Sequence, residues 1–258
     1  MNVLFIGDIF GSPGRKLITE NLSVLKKEFA IDFCIANGEN TAHGKGITEK
    51  TAGKLFRSGI DCFTSGNHIW DRKESIDFIE NEVRILRPLN FSEKAVGATS
   101  YIANSGKTKI CVINLVGQVY MSPADSPFTA LEKLLPEIKK ITNKIIVDFH
   151  AEATAEKRAF GFYFDGQVSA ILGTHTHIQT ADEEILPQQT AYITDVGMTG
   201  PHDSSIGMTK EIVIQKMITS MPQKFDIAEN GLQINAVALE IDDKTGKAVK
   251  ITRIKRKY

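Results

Sequence analysis

The sequence predicts a layered α/β fold, with sheet between helices. Short apolar β-type runs alternate with stretches of helical periodicity over most of the chain, metal-binding residue types recur where those runs end, and the last runs follow one another without long helices between them. Residues 3–7 (VLFIG) form the first run and end at a turn. Leu17, Ile18, Leu22, Leu25 and Phe29 then give 14–29 a helical spacing. The next strand is 32–37 (DFCIAN), followed by a helix over 48–57, a third strand at 61–65 (DCFTS) and a helix over 71–80. A strand at 108–115, a helix over 126–142 and a strand at 144–149 come next, then strands at 168–173 and 190–195 and a helix over 209–219. Residues 232–241 and 247–255 alternate with period two around DDKTGK, which reads as a β-hairpin. Mixed or antiparallel pairing is expected among these later strands. No repeat, low-complexity run or Pro/Gly/Ser-rich linker interrupts the pattern, so residues 1–258 read as one domain.

Composition narrows the function classes. Hydrophobic residues make up 42% of the chain, enough for a full core, and Lys plus Arg balances Asp plus Glu at 31 each. Zero net charge argues against coating nucleic acid or anionic membrane by bulk electrostatics, but leaves room for a small nucleotide held at one local site. Cys34, Cys62 and Cys111 are widely spaced within apolar runs and read as buried thiols in a reducing compartment. The N-terminal apolar run lacks a basic lead-in and meets Asp8 at once, so it is not read as a signal peptide, and no run reaches membrane-spanning length. The expected location is cytoplasmic.

Ligands in open α/β sheets bind beyond the carboxyl ends of the strands. Asp8 closes the first strand in GDIFG, Glu39 and Asn40 the second in ANGEN, and Asn67 and His68 the third in SGNH. His150 closes IIVDFH, and His175 and His177 close AILGTHTH. Any one of these has an ordinary explanation as a cap, an Asx-turn or a satisfied histidine. Their joint fall at five strand ends, taking four of the six histidines, does not. In an extended segment His175 and His177, at i and i+2, point the same way.

Oxygen and imidazole donors without thiolate suit iron, manganese or zinc better than calcium. Seven donors are too many for one tetrahedral site and fit two metals sharing a carboxylate bridge, a common solution for phosphoester hydrolysis. One metal lowers the pKa of a water to give hydroxide, both neutralise phosphoryl oxygens, and His68, next to Asn67, is the candidate general acid. Serine-hydrolase, Walker A and dinucleotide fingerprints are absent.

The order GD, an acidic residue, GNH, a lone His and GTHTH resembles the calcineurin-like metallophosphoesterases, with two departures: Phe10 stands where that superfamily has a histidine, and Glu39-Asn40 where it has Asp. FIGDIFGSPGR, ANGENTAHGKGIT, SGNHIWD, VDFHAEATAEK, LGTHTHIQTAD and TDVGMTGPHDSSIG together resemble the bacterial YmdB-like metallophosphoesterases over almost the whole chain. That resemblance implies a four-layer αββα sandwich of two mixed sheets flanked by helices. It implies a two-iron or two-manganese phosphodiesterase acting on 2′,3′-cyclic nucleotides such as 2′,3′-cyclic AMP, and self-association as a dimer or tetramer. One metal would take Asp8, Glu39, Asn40 and His177. The other would take Glu39, Asn67, His150 and His175, with His68 as proton donor. Thr199, Gly200 and Asp203 are candidates for lining the substrate pocket, with a structural loop as the alternative. His43 is a candidate for approaching the phosphate, with a solvated loop histidine as the alternative. A phosphomonoesterase or nucleotidase on the same site, and a regulatory metalloprotein with weak catalysis, remain as rival readings, because the ligand set reads phosphoryl oxygens and not the leaving group.

Overall fold

Side chains along the first strand, β1 (Asn2–Ile6), divide between two cores: Leu4 and Ile6 enter one, Val3 and Phe5 the other. A strand buried on both faces belongs to a sheet covered on both sides. The computed structural model describes residues 1–106 and 108–258. After β1 come α1 (Gly11–Glu28), β2 (Phe33–Asn37), α2 (Glu49–Arg57), β3 (Cys62–Thr64), α3 (Ile76–Asn81), β4 (Ser100–Ser105) and β5 (Thr108–Val116). Next are α4 (Pro127–Lys139), β6 (Ile145–His150), α5 (Thr154–Tyr163), β7 (Ala170–Thr174), β8 (Glu184–Ile185) and β9 (Ala191–Ile193). The chain closes with β10 (Gly200–Pro201), α6 (Lys210–Thr219), β11 (Leu232–Ile241) and β12 (Ala248–Lys257).

Two six-stranded sheets result. One runs β10–β11–β1–β2–β3 with β12 also on β11, and the other β4–β5–β6–β7–β9–β8. β1, β2 and β3 are parallel, as are β5, β6, β7 and β9, whereas β11 lies antiparallel to β1 and β4 to β5. Both sheets are therefore mixed. Between them Val3, Phe5, Phe33 and Ile35 meet Ile110, Val112, Ile146 and Leu172. On the outer face of the first sheet Leu4, Ile6 and Cys34 pack against Leu17, Leu22 and Leu25 of α1 and Leu55 of α2. On the outer face of the second, Ile113, Val147 and Ile171 pack against Leu131 and Leu135 of α4 and Phe160 of α5. The layers read helix, sheet, sheet, helix, as expected. Local chemistry sets the helix starts: Thr48 and Thr51 form a reciprocal capping box for α2, and Ser126 caps α4 with Pro127 at its first position.

The structure adds four elements to those read from sequence: β4, α5 and the two-residue strands β8 and β10. β4 is an edge strand whose only buried apolar residue is Ala103, so its pattern is weak. α5 carries Lys157 on its buried face, where a charge breaks the apolar period. α5 makes β6 to β7 an ordinary parallel crossover, and the antiparallel pairing expected late in the chain falls at β8–β9 and β11–β12. The stretch read as a helix over 71–80 is a 3₁₀ turn at Lys73–Ser75 followed by α3.

Candidate metal centre

The carboxyl ends of both sheets meet at one place. Asp8, Glu39, Asn40 and Asn67 follow β1, β2 and β3, His150 is the last residue of β6, and His175 and His177 follow β7. Glu39 Oε1 lies 3.0 Å from His150 Nε2, Asn67 Oδ1 lies 3.2 Å from the same nitrogen and His175 Nδ1 3.0 Å from it. His177 Nε2 lies 3.2 Å from Asn40 Oδ1 and 3.8 Å from Asp8 Oδ1. The His175 amide, 3.4 Å from Asp8 Oδ2, joins the two groups. All seven sequence candidates for metal ligation thus fall into two adjoining clusters. Gly66 is required here, because a Cβ on it would collide with the His150 ring.

Hydrogen bonding outside the cluster settles which atoms face in. His150 Nδ1 is 2.9 Å from Thr174 Oγ1, whose own proton goes to Asp148 Oδ1 at 2.6 Å, so Nδ1–H donates to Thr174 and Nε2 points at the cluster. His177 Nδ1 donates to the Ile206 carbonyl at 3.0 Å, and His175 Nε2 faces Glu152 Oε2 at 3.1 Å. Each imidazole is therefore fixed by an acceptor on one nitrogen and turns the other inward, as metal-binding histidines do. Asn40 Nδ2 donates to the Gly44 carbonyl at 3.1 Å, which turns Oδ1 toward His177.

The electrostatics have the same shape. Asp8 and His150 are fully buried and Glu39 is 1% exposed. Burial raises the Asp8 carboxyl above its ordinary range, and its Oδ1 has no hydrogen-bond partner. Burial alone would raise Glu39 too, but His150 and His68 beside it hold it at about 2. Burial works to lower His150, and Glu39 overcomes it and carries the imidazole to about 9; burial and the neighbouring His150 push His175 down to about 3. An orphaned buried carboxylate oxygen beside converging lone pairs is an arrangement that cations satisfy. Glu39 joins the Asn67–His150–His175 group through His150, and the Asp8–Asn40–His177 group adjoins it through the His175 amide, so oxygen and imidazole donors of the kind that hold divalent metals gather there.

Phe10, at the position of the superfamily's histidine, is buried with its ring edge-on to His177 at 5.5 Å between centroids, and Asn40 supplies a polar atom to that imidazole instead. His68 stands beside the clusters: its amide donates to Glu39 Oε2 at 3.1 Å and its Nδ1 lies 2.9 Å from Asp71 Oδ2. The four substrate candidates separate. Thr199 is buried, gives its hydroxyl to the Asn235 carbonyl at 3.0 Å and its amide to the Asp8 carbonyl at 2.9 Å. Gly200 pairs with Gln233 in β10, and Asp203 pairs with Lys210 of α6. His43 is exposed with φ 55° and lines a cavity beside α2. Another cavity, of about 680 Å³ between residues 87–93 and α4, is lined by none of the proposed ligands.

Several supporting residues escaped the sequence reading. Asp148 accepts from Thr174, from Thr64 at 2.5 Å and from Asn37 at 3.0 Å. Lys157, 1% exposed, donates from Nζ to Asp195 Oδ2 and to the Thr174 carbonyl, each at 2.8 Å. Asp195 also accepts from the Thr176 amide at 3.0 Å, the Thr176 hydroxyl at 2.9 Å and the Gly197 amide at 2.8 Å. This clamp grips the backbone on both sides of His175, whose φ of 103° and that of His177, 66°, are costly for residues with a side chain. A charge inside an otherwise apolar strand, as in IIVDFH, is the one signal that could have pointed to Asp148.

Comparison with known proteins gives the chain a family. A family model described as a YmdB-like protein matches residues 4–254. The chain is similar to the 2′,3′-cyclic-nucleotide 2′-phosphodiesterase of Bacillus subtilis (strain 168), 50% identical over 255 residues that cover 98% of this chain and 96% of that protein. It is similar to the crystal structure of a novel phosphatase from Mycoplasma pneumoniae, with a TM-score of 0.95, 38% identity and coverage of 100% of this chain and 93% of that one. The NAD nucleotidase of Haemophilus influenzae shares the fold alone, with a TM-score of 0.60 and 14% identity over 100% of this chain and 56% of that one.

Proposed function

The chain belongs to the YmdB-like family, and from that premise we propose that it is a two-metal phosphodiesterase that hydrolyses 2′,3′-cyclic nucleotides. The observation that carries the reading is the pair of adjoining clusters in which three imidazoles, two carboxylates and two amides converge while each imidazole is held from outside. Asp8, Glu39, Asn40 and His177 would hold one ion, and Glu39, Asn67, His150 and His175 the other. Iron is the first expectation, with manganese or zinc compatible with the same donors. When bound, the ions supply positive charge to phosphoryl oxygens and a nucleophilic hydroxide at neutral pH. His68 is the proposed proton donor to the leaving 2′ oxygen: Asp71 orients its Nδ1 and leaves Nε2 for transfer.

Metal content and 2′,3′-cyclic AMP hydrolysis, measured on one preparation of wild type and of Asp8→Ala, test the reading. About two metals per chain are expected, with turnover falling alongside metal in the variant. Stoichiometric metal with turnover only on nucleoside monophosphates would shift the assignment to a monoesterase. His68→Ala is expected to keep metal and lose about 10²–10⁴-fold in kcat.

Two further expectations belong to the same reading. Cys34, Cys62 and Cys111 are buried and unpaired, which suits a reducing cytoplasm. No described helix is long and apolar enough to cross a membrane. Self-association is supported by α6, which buries none of its own residues and exposes Ile214, Met217 and Ile218.

A further inference from the structure

The loop that carries Asn40 also walls a second cavity, of about 360 Å³, lined by Arg15, His43, Lys50, Lys54, Arg72 and Glu74 among others. Four cations face one carboxylate there. Lys26, Arg84, Arg158, Arg253 and Arg256 each have an acidic partner, yet among the described residues Arg15, Lys50, Lys54 and Arg72 have none. Lys50 and Lys54 alone would be an ordinary solvated face of α2, one turn apart. Arg15 comes from α1 and Arg72 from the segment after β3, so three separate parts of the fold converge.

The two guanidinium groups are also fixed in place. Arg15 Nη1 donates to the Thr41 carbonyl, and Arg72 donates to the carbonyls of Ala42, at 2.6 Å from Nη2, and of Lys45, at 3.0 Å from Nε. These acceptors lie in the same loop that Asn40 ties through Gly44. The loop is thus held on one side by the candidate metal centre and on the other by a positively charged cavity. The chain as a whole is neutral, with 31 basic and 31 acidic residues, so this concentration is not a spill-over of basic composition.

We propose that this cavity is a subsite for the phosphodiester backbone, and that the preferred substrate is a ribo-oligonucleotide whose 3′ end carries the 2′,3′-cyclic phosphate. The inference rests on the phosphodiesterase reading above and extends it. A cyclic mononucleotide has a single phosphate, which the metal centre takes, and brings no charge to the four cations on the other side of the shared loop. An oligonucleotide brings the same reactive group and further phosphates on its 5′ side. Water adds to the cyclic phosphorus, the bond to the 2′ oxygen breaks and that oxygen takes a proton, which leaves a 2′-hydroxyl and a 3′-phosphate on the terminal ribose of an oligonucleotide of unchanged length. No Phe, Tyr or Trp lines the cavity, so recognition works chiefly through backbone charge and tolerates any base.

The test compares a tetraribonucleotide 2′,3′-cyclic phosphate with 2′,3′-cyclic AMP on the metal-loaded enzyme over a range of salt. The oligomer is expected to show kcat/KM about tenfold higher at low salt, with a log–log salt slope of about −2 for three added phosphates. The double variant Lys50→Ala/Lys54→Ala, altered at two exposed positions, should lose most of that advantage and flatten the slope by about 1, with kcat/KM for 2′,3′-cyclic AMP within about twofold of wild type. A second readout needs no turnover: fluorescence anisotropy of a dye-labelled tetraribonucleotide 3′-phosphate on the metal-free protein, which should bind wild type more tightly than the double variant. Equal kcat/KM for the two substrates, or a variant that affects both alike, overturns the subsite while leaving the phosphodiesterase standing. Should neither substrate be cleaved, the phosphodiesterase reading falls, and the anisotropy still decides whether the cavity holds an oligonucleotide.

Discussion

Thr174 determines which nitrogen of His150 faces the centre. Its hydroxyl donates a hydrogen bond to Asp148 and accepts one from His150 Nδ1, so the tautomer is set by a buried side chain outside the cluster. Thr174→Val keeps the shape and deletes the acceptor. Metal affinity is expected to fall about 10–100-fold, measured by competition with a chromophoric chelator, with the circular dichroism spectrum unchanged. A titration prediction follows from the same imidazole. Burial works against the charged ring, but contact with Glu39 carries its pKa to about 9, so His150 holds an extra proton at neutral pH when no metal is bound. A cation must displace it. Metal affinity should therefore rise about tenfold per pH unit and level off above about pH 9. Calorimetric titrations at pH 7 in buffers of different ionisation heat should report about one proton released per chain. Binding without release would mean that the centre is already deprotonated.

Between β7 and β9 the chain makes the tight turns that carry His175 and His177, and α5 supplies the lysine that holds them. The Lys157–Asp195 pair is fully buried, and such pairs contribute little over a well-packed apolar pair of the same volume; removing one partner costs about 3–5 kcal/mol, because it strands the other charge. Its use here is positional. Lys157→Met should therefore lower stability by about that amount and weaken metal binding together. In Lys157→Met/Asp195→Leu no charge is stranded, but the Thr176 and Gly197 amides lose their acceptor, so stability should return only in part, while metal affinity should not return, because Thr176 loses its anchor. Recovery of both in a metal titration paired with denaturant unfolding would show that the pair has no positioning role. This clamp also marks where sequence reading stops. β1, β2, β6 and β7 were legible because their apolar runs are continuous and the polar residues at their ends stand out. α5 was not, because a lysine on a buried face looks like a solvated one until its partner, 38 positions away, is placed beside it. Asp148 was not read either: its isolation within an apolar strand could have signalled a buried partner, but not that the partners are Thr64, Thr174 and Asn37.

At the scale of the whole molecule, the donors are divided between the two sheets. Asp8, Glu39, Asn40 and Asn67 extend from the first, and His150, His175 and His177 from the second. The core between the sheets holds them by non-directional apolar contacts such as Phe5, Ile35, Val112 and Leu172, whereas ions at the carboxyl ends would join them by fixed bonds at one edge. Such ions bind the assembled sandwich and not the unfolded chain, whose donors are scattered from residue 8 to residue 177. Mass action then converts metal affinity into stability, about 2.7 kcal/mol when free metal stands at 100 times its Kd. For a domain of this size that corresponds to a Tm higher by roughly 5–10 °C. Scanning calorimetry of the loaded protein against the same sample treated with chelator should show that difference. Asp8→Ala should narrow it, and because this substitution removes a buried carboxylate oxygen that has no partner, its metal-free form should be at least as stable as metal-free wild type. A metal-free wild type that melts at the temperature of the loaded one would mean that the donors are held together by the two sheets alone, and would remove the ions from any structural role.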